Sequence, residues 1–504
     1  MNRAGGAKGG HIRINELRKA HPHAISGARL ATTLMVVAML FGCRVAGPDY
    51  EKPEITPPPQ WHSDQSASCP STEATDQELA HWWTALGDAT LENLVKRAVH
   101  GNLDLRRAAA VIREARARRG IADADRFPTI TGSGLTAFQR GSDRMGTAAN
   151  GGLFSVGFDA GWEVDVFGRV KRSIEAADAS LEATEASLHD ILVSLVAEVA
   201  LNYVEIRQYQ RQLTIAENNL AVQEDILQLA TRRFDAGLTT RVDVEQATYS
   251  VASTRSAIPA LRIQLEQAKN RLAVLLGENP GALSAELEAP APIPVGPLEV
   301  AVGIPADTLR RRPDVRRAER LLAAQTATIG VAAAARYPAF SLSGSIGYDA
   351  ITKGNPLSLG NLIGSLAGSA FATLFDADRI RRQIDVQTAR QEQALVDYEA
   401  TILGALEEVE NALVAFLDEQ VRRTSLTEAA QAAGRALDLV RTNYAAGLVD
   451  FQPVLDSQRS LLSLQDQLAR SDGAVTSDLI RLYKALGGGW TPTVPQANSP
   501  TAQP

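Results

Sequence analysis

Two hydrophobic patterns alternate along this chain of 504 residues. Between 153 and 166, even-numbered positions are apolar and odd-numbered positions are small or acidic, as in a strand with one apolar face. The same alternation returns at 340–348, and fainter versions at 129–138 and 361–375 complete four predicted strands. Long segments rich in Ala, Leu, Arg, Glu and Gln separate these strands and predict helices.

Each pair of strands is preceded by one predicted helix and followed by two. The first helices, of about 35 residues, end before Phe127-Pro128 and Tyr337-Pro338, because proline disfavours helix in the preceding residue. Helices of about 67 residues then end near Gly237 and Gly447, where left-handed C-caps are expected. The predicted spans are 90–125 and 306–335, then Arg169 to about Asp235 and Arg379 to about Ala445, then the return helices 242–276 and 451–486.

The lengths of these helices favour a hollow cylinder of antiparallel helices over a compact bundle. A helix of about 67 residues is roughly 100 Å long at 1.5 Å per residue. Two helices of about 35 residues placed end to end match that length.

A tandem duplication explains why the order of elements occurs twice. Matching segments are separated by one constant offset of 210 positions (for example 338 − 128). The matches include Leu103–Ala108 with Pro313–Ala318, Arg126–Pro128 with Arg336–Pro338, Ala236–Leu238 with Ala446–Leu448, and Leu276-Gly277 with Leu486-Gly487. We therefore expect a first repeat at 90–277, a proline-rich linker at 278–305, a second repeat at 306–487 and a tail at 488–504.

The start of the chain has the features of an export signal. Arginine and lysine residues precede an apolar run of about thirteen residues, Leu30–Gly42, which is too short to span a bilayer as a helix. Leu40-Phe41-Gly42-Cys43 resembles the lipobox of bacterial lipoproteins, although Phe41 is atypical. We predict a signal peptide at 1–42, lipidation of Cys43 and an anchored arm with an equatorial segment at 43–89. Ordinary signal cleavage near the same place is the alternative.

Composition excludes several classes of function. The net charge of −7, without a long basic block, gives no support to nucleic-acid binding. The cysteines Cys43 and Cys69 can form neither a disulfide framework nor a CxxC zinc site. No phosphate-binding loop, zinc-protease motif or nucleophile elbow is present. We therefore predict neither an enzyme nor a cofactor nor a metal site.

Strands of this type predict a membrane barrel made by several copies of the chain. An open sheet edge is prohibitive in lipid, and four strands cannot close even the smallest common barrel, of eight strands. Two copies give eight strands and three give twelve, and transport favours three because an eight-stranded barrel is filled by side chains. The acidic residues Asp159, Glu163 and Asp165 are then expected to line a cation-preferring lumen. A soluble sandwich is the alternative.

The chain resembles the TolC-like outer-membrane factors, in the branch of NodT-type lipoproteins that serve resistance-nodulation-division efflux systems. The motifs that carry the resemblance are Arg310–Arg320, Trp162–Arg169, Tyr444–Leu461 and Leu482–Trp490. It implies an α+β membrane protein: a homotrimer with a twelve-stranded β-barrel continuous with a long periplasmic α-helical barrel. It also implies that the protein lies in the lipid of the outer membrane and extends into the periplasm. The partners it implies are a periplasmic adaptor protein and an inner-membrane efflux transporter.

The resemblance further implies a gate at the periplasmic helix tips. The matching positions are Asp456, Arg459 and Tyr444, while Gln452 stands where the family has a gating leucine. Asp456 and Arg459 are three residues apart on one helix, close enough to interact. An ordinary exposed ion pair is the alternative. The first repeat has Gln246 and Tyr249 at these positions, so we expect a threefold charged ring rather than a sixfold one.

Three functions remain open from the sequence. A passive exit duct for small organic molecules is favoured. A type I secretion or metal-efflux channel shares the architecture, but the chain contains only four methionines, which argues against methionine-rich metal sites. A membrane-anchored coiled-coil scaffold is a different class of protein and predicts no strands.

Overall fold

The structure is a computed structural model. It describes residues 45–54, 56–62, 76–139, 151–297, 305–351 and 359–490. Cys43, Cys69, the predicted signal peptide and the end of the tail lie outside these ranges, so the expectations about them stay predictions. The chain divides into a sheet unit, made of residues up to 47, 125–172 and 330–381, and a helical unit, made of 48–124, 173–329 and 382–504.

The sheet unit contains four antiparallel strands in the order β1-β2-β3-β4. All four occur where the alternating pattern predicts them. Their bounds are Thr129–Gln139 for β1, Gly151–Val164 for β2, Ala339–Ile351 for β3 and Leu362–Phe371 for β4. Each strand pairs with its neighbours in sequence, which leaves β1 and β4 at the two edges.

Nine α-helices are described. Their bounds are α1 Asp76–Ala80, α2 Ala89–Gly101, α3 Leu103–Ala124, α4 Arg169–Asp235, α5 Arg241–Leu275, α6 Pro305–Arg311, α7 Pro313–Ala334, α8 Arg379–Ala445 and α9 Gln452–Ala485. The two long helices, α4 and α8, have 67 residues each and the predicted bounds. The return helices, α5 and α9, have 35 and 34 residues.

The prediction of one unbroken helix before each pair of strands was wrong. Asn102 is extended (φ −60°, ψ 133°) and separates α2 from α3. In the second repeat, Pro313 starts α7 after α6 has ended at Arg311. Proline suits the first turn of a helix, where its missing N–H costs nothing, so the break at this position has a local cause. The two breaks, at residues 102 and 312, are separated by the repeat offset of 210 positions.

The core of the helical unit lies around the middle of the long helices. Trp61, Trp82 and Leu91 from the N-terminal segments are nearly inaccessible to solvent and pack with residues of α4, α5, α8 and α9. The chain leaves α9 through glycines, and Gly489 donates its N–H to the Leu79 carbonyl at 2.9 Å. Trp490 then stacks on His189 of α4, with ring centroids 4.4 Å apart.

Among the residues that the structure describes, one helix passes a simple test for membrane-spanning segments. An 18-residue stretch of α4 has a mean hydropathy of 1.3, and half of it is buried within the protein. A core helix passes the same test, and α4 supplies Val199, Tyr203 and Val204 to the core of the helical unit. Burial in the core of the helical unit therefore accounts for the high hydropathy of this stretch.

Candidate functional site

The two helical hairpins end in glycine turns of the same geometry. Gly237 (φ +71°) and Gly447 (φ +79°) adopt the left-handed conformation that favours glycine. The N–H of Leu238 donates to the Arg233 carbonyl at 2.8 Å, and the N–H of Leu448 donates to the Asn443 carbonyl at 2.9 Å. These are the hydrogen bonds of a Schellman C-cap. Each long helix thus ends at its glycine, and the chain turns back.

A small hydrophobic cluster, the tip cluster, joins the two hairpins. Tyr444, which is 2% exposed, lies in it with its ring centroid 5.3 Å from that of Phe451. The buried members are Ile226, Ala230 and Ala247 from the first hairpin and Leu437, Tyr444, Phe451, Val454 and Leu455 from the second. The tip cluster therefore holds the second hairpin against the first within one protomer.

Arg233 of α4 is a polar link between the hairpins that the sequence analysis did not predict. Its guanidinium carbon lies 4.7 Å from the centroid of the Tyr444 ring, within reach of a cation–π interaction. One of its nitrogens also donates to the Tyr444 carbonyl oxygen. Arg441 and Asp225 form a second contact between the hairpins, at 3.6 Å. Basic residues are common in the last turn of a helix, so Arg233 has no distinctive sequence signal.

Asp456 is exposed on the first turns of α9, and its partner is not the one expected. Gln452 donates its side-chain N–H to Asp456 Oδ1 at 3.0 Å. Arg459 is also exposed and makes no ion pair within the described part of the chain. The expectation that Arg459 binds Asp456 in the protomer was therefore wrong. Side chains three or four residues apart are neighbours on a helix. In this protomer the neutral amide of Gln452, four residues before Asp456, makes the hydrogen bond to the carboxylate, and Arg459, three residues after it, does not.

The two hairpins differ where the return helices begin. Phe451 and Leu455 are buried in the tip cluster, whereas the equivalents in the first repeat, Arg241 and Glu245, form an exposed ion pair at 3.3 Å. Tyr249, the equivalent of Arg459, is 63% exposed. Only the second hairpin therefore combines a buried apolar start of the return helix with a nearby exposed carboxylate.

One face of the sheet is apolar and lies open to solvent in the protomer. Strand register puts Ile130, Phe158, Ile346 and Leu366 on this face. Their exposed fractions are 68%, 62%, 57% and 78%. Large exposed apolar surfaces of this kind mark contact with a membrane or a partner.

The opposite face of the sheet is mostly polar or small, although the register also places Leu135, Ile363 and Phe371 on it. Two cross-strand serine pairs lie on it, Ser341 with Ser369 at 2.7 Å and Ser345 with Ser365 at 2.8 Å. Asp159 shares the face and accepts a hydrogen bond from Ser133 at 3.2 Å. The sheet thus has the apolar and polar faces that the alternating pattern predicts.

The three acidic residues expected in the lumen have different environments. Glu163 binds Arg169 through two hydrogen bonds of 2.7 and 2.8 Å. Asp165 lies beyond the end of β2, and its carboxylate accepts the backbone N–H of Lys171 at 2.8 Å. Asp349 was not predicted, but strand register places it on the polar face opposite Ser155. Asp159 and Asp349 are therefore the strand carboxylates of this face without an ion pair among the described residues.

The described residues offer no metal centre. They contain no group of three or more His, Cys, Asp or Glu side chains close enough to hold a metal ion. The polar features of the tips and the sheet are instead charges and hydroxyls spread along surfaces.

Comparison with known proteins agrees with this geometry. The family model described as outer membrane efflux protein matches residues 94–278 and 304–488, once for each repeat and with the same offset (304 − 94 = 210). Nodulation protein T of Rhizobium leguminosarum bv. trifolii is 33% identical over 473 residues, 92% of this chain and 97% of the relative. Cation efflux system protein CusC of Escherichia coli O6:H1 is 31% identical, over 90% of this chain and 97% of that protein.

A solved structure has the same fold. The outer-membrane channel OprN superposes with a TM-score of 0.83 at 35% sequence identity, covering 88% of this chain and 99% of that one. The resemblance to NodT-type outer-membrane factors is thereby confirmed. This chain belongs to the outer membrane efflux protein family, and it is an outer-membrane channel of the tripartite efflux type, with a transport role rather than an enzymatic one.

Proposed function

We propose that three copies of the chain close into one export duct, a twelve-stranded barrel continuous with a barrel of helices. The contacts of the helical unit support this. Arg116 of α3 binds Glu185 of α4 at 3.0 Å, and Arg320 of α7 binds Glu182 of α4 at 3.0 Å. Gln325 of α7 binds Gln387 of α8 at 2.9 Å. The order is therefore α3-α4-α7-α8, with α3 and α8 at the ends.

The sheet unit is open at the same two stretches of chain. β1 follows α3 and β4 precedes α8, and these strands are the two edges of the sheet. The end helices also expose large apolar side chains, among them Ile121 of α3 (69%) and Leu403 of α8 (69%). In a heterologous contact that repeats around a threefold axis, β1 of one copy pairs with β4 of the next, and α3 of one copy packs against α8 of the next. No strand edge is then left open. This coincidence of open ends carries the proposal.

Crosslinking between copies tests the closure. Ile121 lies on α3 and Val386 lies on α8, the two end helices. Val386 is the equivalent of position 176 of α4 (386 − 210), two residues before Asp178, which binds Arg119 of α3 within the protomer. We expect Ile121→Cys combined with Val386→Cys, in a Cys69→Ser background, to give a three-chain species on oxidation in membranes. Each single variant should stay uncrosslinked. Oxidation that stops at two chains, or that crosslinks nothing in inserted protein, contradicts the trimer.

The proposed pump places this channel between the outer membrane and two partners. Cys43 carries lipid, and the exposed Leu238 (66%) and Leu448 (74%) at the hairpin tips offer apolar contacts to a periplasmic adaptor. An inner-membrane transporter supplies the energy. The substrates are small organic compounds: Met145 is the single methionine after Cys43, which argues against a methionine-based metal path.

The gate of the duct is a threefold ring of Asp456 side chains at the tips, with Gln452 as their neutral partner and Arg459 free to meet another copy. The packing behind this ring supports movement. Arg233 Nε and Gln458 Nε2 are buried without a hydrogen bond among the described residues. Each such atom costs about 1–3 kcal/mol, so the tips are held in an arrangement that a modest competing interaction can change.

Ion selectivity follows from the polar face of the sheet. We expect wild-type channels to prefer cations, and Asp159→Asn combined with Asp349→Asn to reduce that preference, because these carboxylates have no basic partner among the described residues. Reversal potentials in asymmetric KCl measure it. Ser345→Ala is the control without effect, since it alters the same polar face without changing its charge. Anion preference in the wild type contradicts a cation-preferring lumen.

A further inference from the structure

The side of α3 that faces away from α4 carries two exposed arginines. Ala108 and Ile112 are buried on the side of the helix that packs against α4. Arg106, Ala110 and Arg113 lie about half a turn around the helix from them, at 3.6 residues per turn. Neither arginine makes an ion pair among the described residues. This side of α3, the basic face, therefore presents two guanidiniums with a small residue between them.

The side of α8 that faces away from α7 is acidic. Gln387 is buried and binds Gln325 of α7 at 2.9 Å, so it marks the packed side of the helix. Glu392, Val396 and Glu399 lie on the far side. Both glutamates are exposed and make no ion pair within the described ranges, and Val396 is 56% exposed. This side of α8, the acidic face, is the electrostatic complement of the basic face.

A contact between the repeats within the protomer shows how such helices pack. Glu182 of α4 binds Arg320 of α7 at 3.0 Å. Three residues before Glu182, Ala179 shares a buried cluster with Ala323, three residues after Arg320. The two helices therefore run antiparallel in a defined register. Because α8 is the copy of α4 and α7 is the copy of α3, we expect the same contact between α8 of one copy of the chain and α3 of the next.

The repeat offset transfers this register to the junction between copies. The positions equivalent to the ion pair are Glu392 (182 + 210) and Ala110 (320 − 210). Glu392 of one copy is therefore expected opposite Ala110 of the next. Ala110 has no charge to offer, but Arg106 and Arg113 flank it on the same face, about one helical turn to either side.

The same register brings Glu399 to Arg106. The equivalent of Glu399 in α4 is His189, which stacks on Trp490 with ring centroids 4.4 Å apart. Arg316 of α7, the equivalent of Arg106, lies over the same Trp490 ring, 5.6 Å from its centroid. His189 and Arg316 are therefore neighbours across the contact between α4 and α7. Their equivalents at the junction between copies are a carboxylate and a guanidinium.

We propose that Glu392 of one copy lies between Arg106 and Arg113 of the next copy, and that Glu399 binds the same Arg106. The occupant of each face is a second copy of this chain. This arrangement rests on the proposed trimer and determines which helix faces which. Two basic faces repel each other, as do two acidic faces. The charges therefore disfavour a symmetric dimer and favour the head-to-tail contact that closes a ring.

Charge reversal tests these ion pairs in the purified full-length protein in mild detergent, with light scattering as the measure of chain number. Glu392→Arg brings three guanidiniums together at each junction, so its three-chain species should be lost on heating at temperatures where the wild type keeps it. NaCl at about 1 M, where the screening length is about 3 Å, should restore part of it. Asp397→Arg is the matched control. It makes the same charge change at an exposed position of α8 outside the acidic face, and it should behave like the wild type.

A compensating variant separates repulsion from misfolding. Arg106→Glu combined with Arg113→Glu should also lose the three-chain species on heating. Adding Glu392→Arg to that pair should recover it, because a guanidinium then lies between two carboxylates. A folding defect at position 392 would persist in the triple variant.

Two results would overturn the ion pairs. One is equal behaviour of Glu392→Arg and Asp397→Arg, and the other is a triple variant no more stable than Arg106→Glu with Arg113→Glu. In either case a wild type that still contains three chains leaves the export duct intact. A wild type that never forms three chains contradicts the proposed trimer itself.

Discussion

Channels with Asp456→Ala should conduct about twofold more, or better, than wild-type channels in planar bilayers. In the proposed trimer, three Asp456 side chains form a ring around one axis, and each has the neutral amide of Gln452 as its hydrogen-bond partner in the protomer. We propose that their charge attracts Arg459 side chains of neighbouring copies, which closes the ring across the opening. Removing the carboxylate removes the attraction that holds the tips together. Single-channel recording of the isolated trimer measures the result.

The first repeat supplies the control for this experiment. Gln246 occupies the position equivalent to Asp456, on a return helix whose first turn carries the exposed pair Arg241–Glu245. Gln246→Ala should therefore leave the conductance unchanged. Equal conductance of wild type and Asp456→Ala would remove Asp456 from the gate. Equal increases in Asp456→Ala and Gln246→Ala would show that any change at the tips loosens the structure, and that the charge is irrelevant.

Much of the fold follows from local sequence signals. Gly237 and Gly447 end the long helices because glycine alone adopts the left-handed C-cap at little cost, so those boundaries are readable from the sequence. The strands are readable because alternation has a period of two, and both faces remain exposed in the protomer. Repetition at 210 positions strengthened the fainter strands, since each element supported its copy.

Contacts between elements could not be read in the same way. Asp456 has candidate partners at both i − 4 and i + 3, and spacing alone does not choose between Gln452 and Arg459. Arg233 reaches Tyr444 across 211 positions, through a packing of hairpins that no local pattern encodes. Asn102 breaks a helix with ordinary helix-forming neighbours, because its side chain is needed by α3 and by the end of α5.

Arg312→Ala should destabilise the protein by about 3 kcal/mol, the largest loss we expect from one substitution in the helical unit. It leaves the Ala485 carbonyl without its side-chain donor and Asp314 and Glu408 without their shared cation. Removing one partner of a buried ion pair typically costs about 3–5 kcal/mol. The lower end applies because the Glu408 side chain is 60% exposed and water can replace part of the interaction.

The repeat again provides a matched substitution. Asn102→Ala removes an N-cap and one bond to the end of α5, which together cost about 1–2 kcal/mol. Urea unfolding followed by tryptophan fluorescence should therefore rank Arg312→Ala well below Asn102→Ala and the wild type. The stability of Arg312→Lys should lie between that of Arg312→Ala and that of the wild type, because lysine keeps the charge but loses the planar fork of donors. Equal losses at positions 102 and 312 would mean that both breaks are held by backbone packing. In that case the guanidinium would contribute no more than the amide.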